Sequence, residues 1–168
     1  MQIDFLRYGS HVEPVEEFGL VDPDDREGKK KAYVSYDKDE EWNATVRSNG
    51  RDDYSFIPVD NNIPVYRHEN GRYETESLCD AMLLTDNTLC FVELKNQRAA
   101  FLSKAVSQLE NTISLFRENH DESCFQFRKA YVCNIGRPGF NISYKNVISG
   151  FYKRNRIPLR IDTTIECR

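Results

Sequence analysis

The stretch from Leu78 to Lys95 constrains the fold more than any other. It reads Leu-Cys-Asp-Ala-Met-Leu-Leu-Thr-Asp-Asn-Thr-Leu-Cys-Phe-Val-Glu-Leu-Lys. Two apolar runs flank the polar tetrad Thr85-Asp86-Asn87-Thr88, which is the pattern of a β-hairpin. Asp and Asn tolerate the positive φ that tight turns demand, so Asp86-Asn87 is placed at the tip. Symmetric closure then sets Thr85 opposite Thr88, Leu83 opposite Cys90 and Asp80 opposite Glu93. Side chains alternate along a strand. Asp80, Glu93 and Lys95 therefore share a face with Leu78, Met82, Leu84, Leu89 and Phe91. Cys79, Ala81, Leu83, Cys90, Val92 and Leu94 take the other face. Apolar residues on both faces mark central strands that are covered on both sides.

Directly opposite residues of an antiparallel pair have Cβ atoms about 5 Å apart, and like charges there repel. Asp80 beside Glu93 needs an offsetting group. One reading is an ordinary salt bridge from Lys95 to either carboxylate at a strand end. The other is a divalent cation held by Asp80 and Glu93, two hard oxygen ligands with a positive group close by.

Asp80, the run Glu93-Leu94-Lys95 at the end of the next strand, and a following helix that carries Gln108 resemble the core motif of the PD-(D/E)xK nuclease superfamily. The resemblance spans about residues 78–134, and Cys79 stands where the motif's name has Pro. It implies an α/β fold with a mixed central β-sheet flanked by helices, a restriction-endonuclease-like core. It implies that Asp80 and Glu93 hold Mg²⁺ or Mn²⁺, with the Leu94 carbonyl as a third ligand. Lys95 would orient and help deprotonate the attacking water, and Gln108 would support the site. The implied activity is metal-dependent hydrolysis of phosphodiester bonds, with DNA as the expected substrate. The family often adds an acidic residue from an N-terminal helix, and the sequence assigns no residue to that place.

Charge is distributed unevenly. Residues 1–90 hold 10 Lys and Arg against 20 Asp and Glu, a net of −10, and residues 91–168 hold 13 against 7, a net of +6. A basic half suits a polyanionic partner, although it is equally the mark of a solvated face. Arg98, Lys104 and Arg137 are the candidate nucleic-acid contacts. Arg137 lies in the tight Gly136-Arg137-Pro138-Gly139 loop, where it either meets a phosphate or is merely exposed. The acidic first half would suit a protein partner or a homodimer contact, so a non-catalytic nucleic-acid-binding or protein-interaction module on the same fold is the competing class.

The 168 residues suit a single domain, with 1–70 as an N-terminal elaboration and 71–168 as the nuclease-like core. No run approaches the roughly 20 apolar residues of a membrane span, and no signal-peptide pattern opens the chain. Five scattered cysteines lack a Cys-x-x-Cys pair, and Cys79, Cys90 and Cys133 read as small buried hydrophobes. This suits a reducing cytoplasm.

The remaining elements follow from periodicity and punctuation. Strands are expected at 1–8, 32–36, 63–66, 127–135 and 159–167. Short helices are expected at 11–18 and around Trp42. Residues 19–31 read as a charged loop, and Asn49-Gly50 and Asn70-Gly71 as turns. A long helix runs from Ala99 to Phe116 with Asn96 as its cap, and Gln108 lies at the edge of its apolar stripe, either exposed or turned back toward the hairpin. The strand after this helix joins the Glu93 strand in parallel through a crossover. Ser143 caps a last helix that ends near Arg154. The three histidines fall in polar surroundings and suggest no catalytic triad.

Overall fold

A computed structural model describes residues 2–23, 26, 28–48 and 53–167. The chain forms a mixed α/β structure. Its strands are β1 (Ser10–His11), β2 (Glu17–Val21), β3 (Tyr33–Ser35), β4 (Ala44–Arg47), β5 (Ser55–Pro58), β6 (Tyr66–Glu69), β7 (Arg72–Thr75), β8 (Ala81–Leu84), β9 (Thr88–Lys95), β10 (Phe127–Asn134), β11 (Leu159–Ile161) and β12 (Thr164–Glu166). The α-helices among the described residues are α1 (Leu102–Asn119) and α2 (Tyr144–Asn155).

The central sheet has the order β1-β5-β8-β9-β10-β11. It is antiparallel through β9 and parallel from β9 to β11. The hairpin takes the expected register, with Leu83 paired to Cys90 and Leu84 to Leu89. Its turn closes through the Thr85 N–H on the Thr88 carbonyl at 2.9 Å. Neither Asp86 nor Asn87 adopts positive φ. The Thr85 hydroxyl instead accepts the Thr88 N–H at 3.1 Å, and both threonine hydroxyls contact the Asn87 amide oxygen. Side-chain bonding thus does the work expected of a left-handed backbone.

Both faces of β8 and β9 are buried, as their composition demands. Both helices cover the same face: Leu109, Ile113 and Phe116 of α1 and Phe151 of α2 pack with Met82, Leu89 and Phe91. The opposite face is covered by a second sheet of order β12-β4-β2-β3, so helices do not flank the central sheet on both sides. Phe18, Leu20, Val46 and Ile165 of that sheet pack with Ala81, Leu83, Cys90 and Val92. The first 70 residues supply strands to both sheets.

Several expectations fail for tertiary reasons. In place of the strand expected at 1–8, the described residues 2–8 form a single 3-10 turn at Phe5–Tyr8, because Phe5 packs on Phe116 and His120 rather than joining a sheet. The 11–18 region is not helical: Pro14 interrupts it, and Phe18 and Leu20 enter the second core as part of β2, which also runs into the expected 19–31 loop. Around Trp42 the chain extends into β4, and the indole lies where a Cβ on Gly19 would be 2.1 Å away, so only glycine fits there. The 63–66 strand begins only at Tyr66 and pairs with β7 across an Asn70-Gly71 turn in which both residues take positive φ. Positive φ at Ala100 delays α1 to Leu102, leaving Asn96 outside it. Ser143 precedes α2 without a side-chain capping bond. Leu159–Cys167 is two strands in different sheets, because Asp162 accepts the Thr164 N–H at 2.9 Å and turns the chain from one layer to the other. The expected Asn49-Gly50 turn lies outside the described residues.

Candidate functional site

Asp80 stands one residue before β8, and the hairpin register continued by one step places it opposite Glu93. The alternation of faces fails just there. Cys79 packs under α1 with Leu78, and its N–H donates to the Thr112 hydroxyl at 2.8 Å. The chain has left strand geometry before Ala81, so Cys79 does not occupy the face that strict alternation gives it. Asp80 is 7 % exposed, and its Oδ2 accepts the Leu94 N–H at 2.7 Å. Leu94 therefore contributes its amide to the site, and its side chain packs in the core beneath the second sheet.

Glu93 is 1 % exposed. Its Oε1 is 2.7 Å from the Lys95 ammonium, and its Oε2 is buried without a hydrogen-bond partner. Lys95 also donates to Gln108 Oε1 at 2.9 Å, and the Gln108 amide nitrogen donates to the Leu78 carbonyl at 3.1 Å. The sequence reading that turned Gln108 back toward the hairpin is the one realised. A continuous chain of bonds runs from the backbone at Leu78 through Gln108 and Lys95 to Glu93. It spans α1, β9 and the segment before β8, which fixes the lysine in one place.

Burial pushes the Glu93 carboxyl up to about 7, against the pull of Lys95 in the other direction. Burial likewise holds the Asp80 carboxyl well above the ordinary range, with the Glu93 charge adding to the effect. Two further carboxylates act on the pair. Asp22, just past β2, raises both groups, and Asp60, just past β5, raises Glu93. The sequence reading missed both. Asp22 lay in a charged stretch, and only the packing of the second sheet on the first brings its field onto the hairpin, whereas Asp60 arrives through the pairing of β5 with β8, continued where its N–H donates to the Cys79 carbonyl at 3.2 Å.

Arg98, Lys104 and Arg137 are all exposed. Arg98 lies in the β9–α1 connection, Lys104 in the first turn of α1, and Arg137 in the β10–α2 connection. These connections leave the carboxyl ends of two adjacent parallel strands, where Lys95 pairs with Asn134. Asn134 ties them together: its Oδ1 accepts the N–H groups of Gln97 and Gly136 at 2.9 and 3.1 Å, and its Nδ2 donates to the Gln97 carbonyl at 2.7 Å. A Cβ on Gly136 would stand 2.6 Å from the Gln97 nitrogen, so this approach requires glycine.

The donors suit a hard divalent cation in kind, since two buried carboxylates, one of them with an orphaned oxygen, lie near an ammonium. Among the described residues, however, no group of three or more His, Cys, Asp or Glu is arranged around one metal position. No helix among them is long and apolar enough to cross a membrane. No protein-family model, no curated protein and no solved structure matches the chain.

Proposed function

We propose that this protein is a divalent-metal-dependent nuclease with a restriction-endonuclease-like core of the PD-(D/E)xK kind, acting on DNA. The observation that carries the reading is the buried oxygen Glu93 Oε2, left without a partner beside a lysine held by Gln108. A buried charged oxygen without a hydrogen bond is costly, and a cation satisfies it. Asp80 and Glu93 would hold Mg²⁺ or Mn²⁺, which when bound supplies charge neutralisation at the phosphate and an acidified water. Lys95, kept in place by Gln108, would orient the attacking water and offset the negative charge of the buried pair. Arg98, Lys104 and Arg137 meet the phosphates of the strand.

The ends of the adjacent helices support the reading. Neither α1 nor α2 has an acidic residue in its first turn or a side-chain capping bond, so the positive ends of both helix dipoles stand unneutralised near the edge that carries the three basic residues. Ligands of open α/β sheets commonly bind at such carboxyl ends of parallel strands.

A second reading, a binding module without turnover, is favoured by the β6–β7 hairpin. All eight of its residues are exposed, and Tyr66 and Tyr73 are 63 % and 79 % exposed. The deciding experiment is cleavage of plasmid, linear duplex and single-stranded DNA, and of RNA, in Mg²⁺, Mn²⁺ and EDTA. The nuclease reading expects metal-dependent cleavage that is lost in Lys95→Ala. Metal binding with no cleavage of any of these would move the assignment to the binding module.

A further inference from the structure

Cys90 and Cys167 are 77 positions apart in the chain, and their sulfurs are 3.3 Å apart. Neither is joined in a disulfide, and both are buried in the core between the two sheets. The backbone around Cys167 is held there by hydrogen bonds to the central sheet. The Thr88 hydroxyl donates to the Cys167 carbonyl at 3.0 Å, and the Lys129 ammonium and Tyr131 hydroxyl donate to the Glu166 carbonyl at 2.9 and 3.0 Å. The sulfur contact is thus set by the backbone on both sides.

We propose that Cys90 and Cys167 are a site of reversible disulfide formation that fastens the second sheet to β9, the strand that carries Glu93 and Lys95. This rests on the thiol geometry alone and is independent of the nuclease reading. A disulfide bond is about 2.04 Å long, so the sulfurs need to close by about 1.3 Å, within the reach of small side-chain rotations.

The chemistry is thiol–disulfide exchange with a small disulfide such as oxidised glutathione. The Cys167 thiolate attacks one sulfur of that disulfide, forming a mixed disulfide and expelling one glutathione thiolate. The Cys90 thiolate then attacks the Cys167 sulfur and expels the second. Two protein thiols are oxidised, one small disulfide is reduced to two thiols, and the protons lost by the cysteines are taken up by the two leaving groups.

Access governs the rate. Cys90 lies in a central strand and is sealed, and its contact with Cys167, together with burial, pushes its thiol well up. Cys167 follows β12, a three-residue strand at the edge of the second sheet with β4 as its only strand neighbour. Local release of β12 exposes Cys167 first, which sets the order of attack.

The test uses the full chain carrying Cys124→Ser, because Cys124 is exposed and reacts on its own account. The protein is incubated with oxidised glutathione, denatured, alkylated, and weighed intact. The expected result is a loss of about 2 Da before alkylation, two fewer alkylated thiols, and a peptide joining Cys90 to Cys167. The cross-linked protein should melt at least about 5 °C higher, reversibly with dithiothreitol, because the bond closes a long loop. Cys167→Ser should abolish all of these. Unchanged thiol counts, glutathione adducts alone, a bond to Cys79 or Cys133, or a cross-linked protein that melts no higher would each overturn the proposal. If Cys167→Ser does not fold, peptide mapping of the Cys124→Ser protein decides by itself.

Discussion

Lys95 Nζ and Gln108 Oε1 meet at 2.9 Å across the gap between β9 and α1. Gln108 is itself anchored to the Leu78 carbonyl. A glutamine on a helix thereby decides where an ammonium on a strand can sit, and the ammonium in turn faces Glu93 at 2.7 Å.

Gln108→Leu keeps the packing volume and removes both bonds. The Leu78 carbonyl loses its partner, and Lys95 is freed from its anchor. The variant should be less stable by about 1–3 kcal/mol in urea melts. If Gln108 positions Lys95, cleavage should fall in kcat more than in KM, and Gln108→Glu should not rescue it, because a carboxylate cannot donate to Leu78.

Stability should depend on pH through Glu93. Its carboxyl titrates near 7 in the folded chain, against an ordinary value of 4.5. Between those values the folded state keeps a proton that the unfolded chain has released, so raising the pH favours unfolding. Metal-free protein should lose on the order of 3 kcal/mol from this group as pH rises from 4.5 to 7. Asp80 shifts in the same direction. Glu93→Gln should flatten the curve in that window, as read by melts at a series of pH values in EDTA.

Lys95→Met removes the counter-charge from a buried carboxylate. At pH 8 this should cost about 3–5 kcal/mol, the penalty of an unpaired buried ion. At pH 5 Glu93 is protonated and the cost should shrink. A pH-independent loss would mean that Lys95 acts only through its packing.

Asn134→Ala removes three bonds that tie the β9–α1 and β10–α2 connections. It should destabilise by about 2–4 kcal/mol, since several N–H and C=O groups lose partners. It should also weaken DNA binding measured by fluorescence anisotropy in Ca²⁺, because Arg98 and Arg137 no longer share a fixed edge.

The hairpin was legible because period-2 alternation and a symmetric turn determine register locally. The return of the helix over the sheet was legible, because a strand, a helix and a parallel strand in succession force it, but the choice between solvent and hairpin for Gln108 was left to the packing of α1. Legibility stopped where distant segments decide. Gly19 and Trp42 accommodate each other across the second sheet, and nothing in either local stretch announces it. Asp162 splits one alternating run between two sheets. Cys79 departs from its expected face because Thr112, 33 positions away, captures its N–H. Asp22 and the Cys90–Cys167 contact depend on the layer packing in the same way, and Asp60 on the pairing of β5 with β8.

The most direct test is a Mn²⁺ titration by calorimetry at pH 8, with matching melts, on the parent and on Asp80→Asn. The substitution keeps an acceptor for the Leu94 N–H and removes one of two charges that repel. In EDTA the variant should be as stable as the parent or more so. The parent should bind Mn²⁺ and melt higher in its presence, by mass action, and the variant should do neither. Equal Mn²⁺ responses from the two proteins would contradict Asp80 as a ligand and, with it, the metal-dependent nuclease.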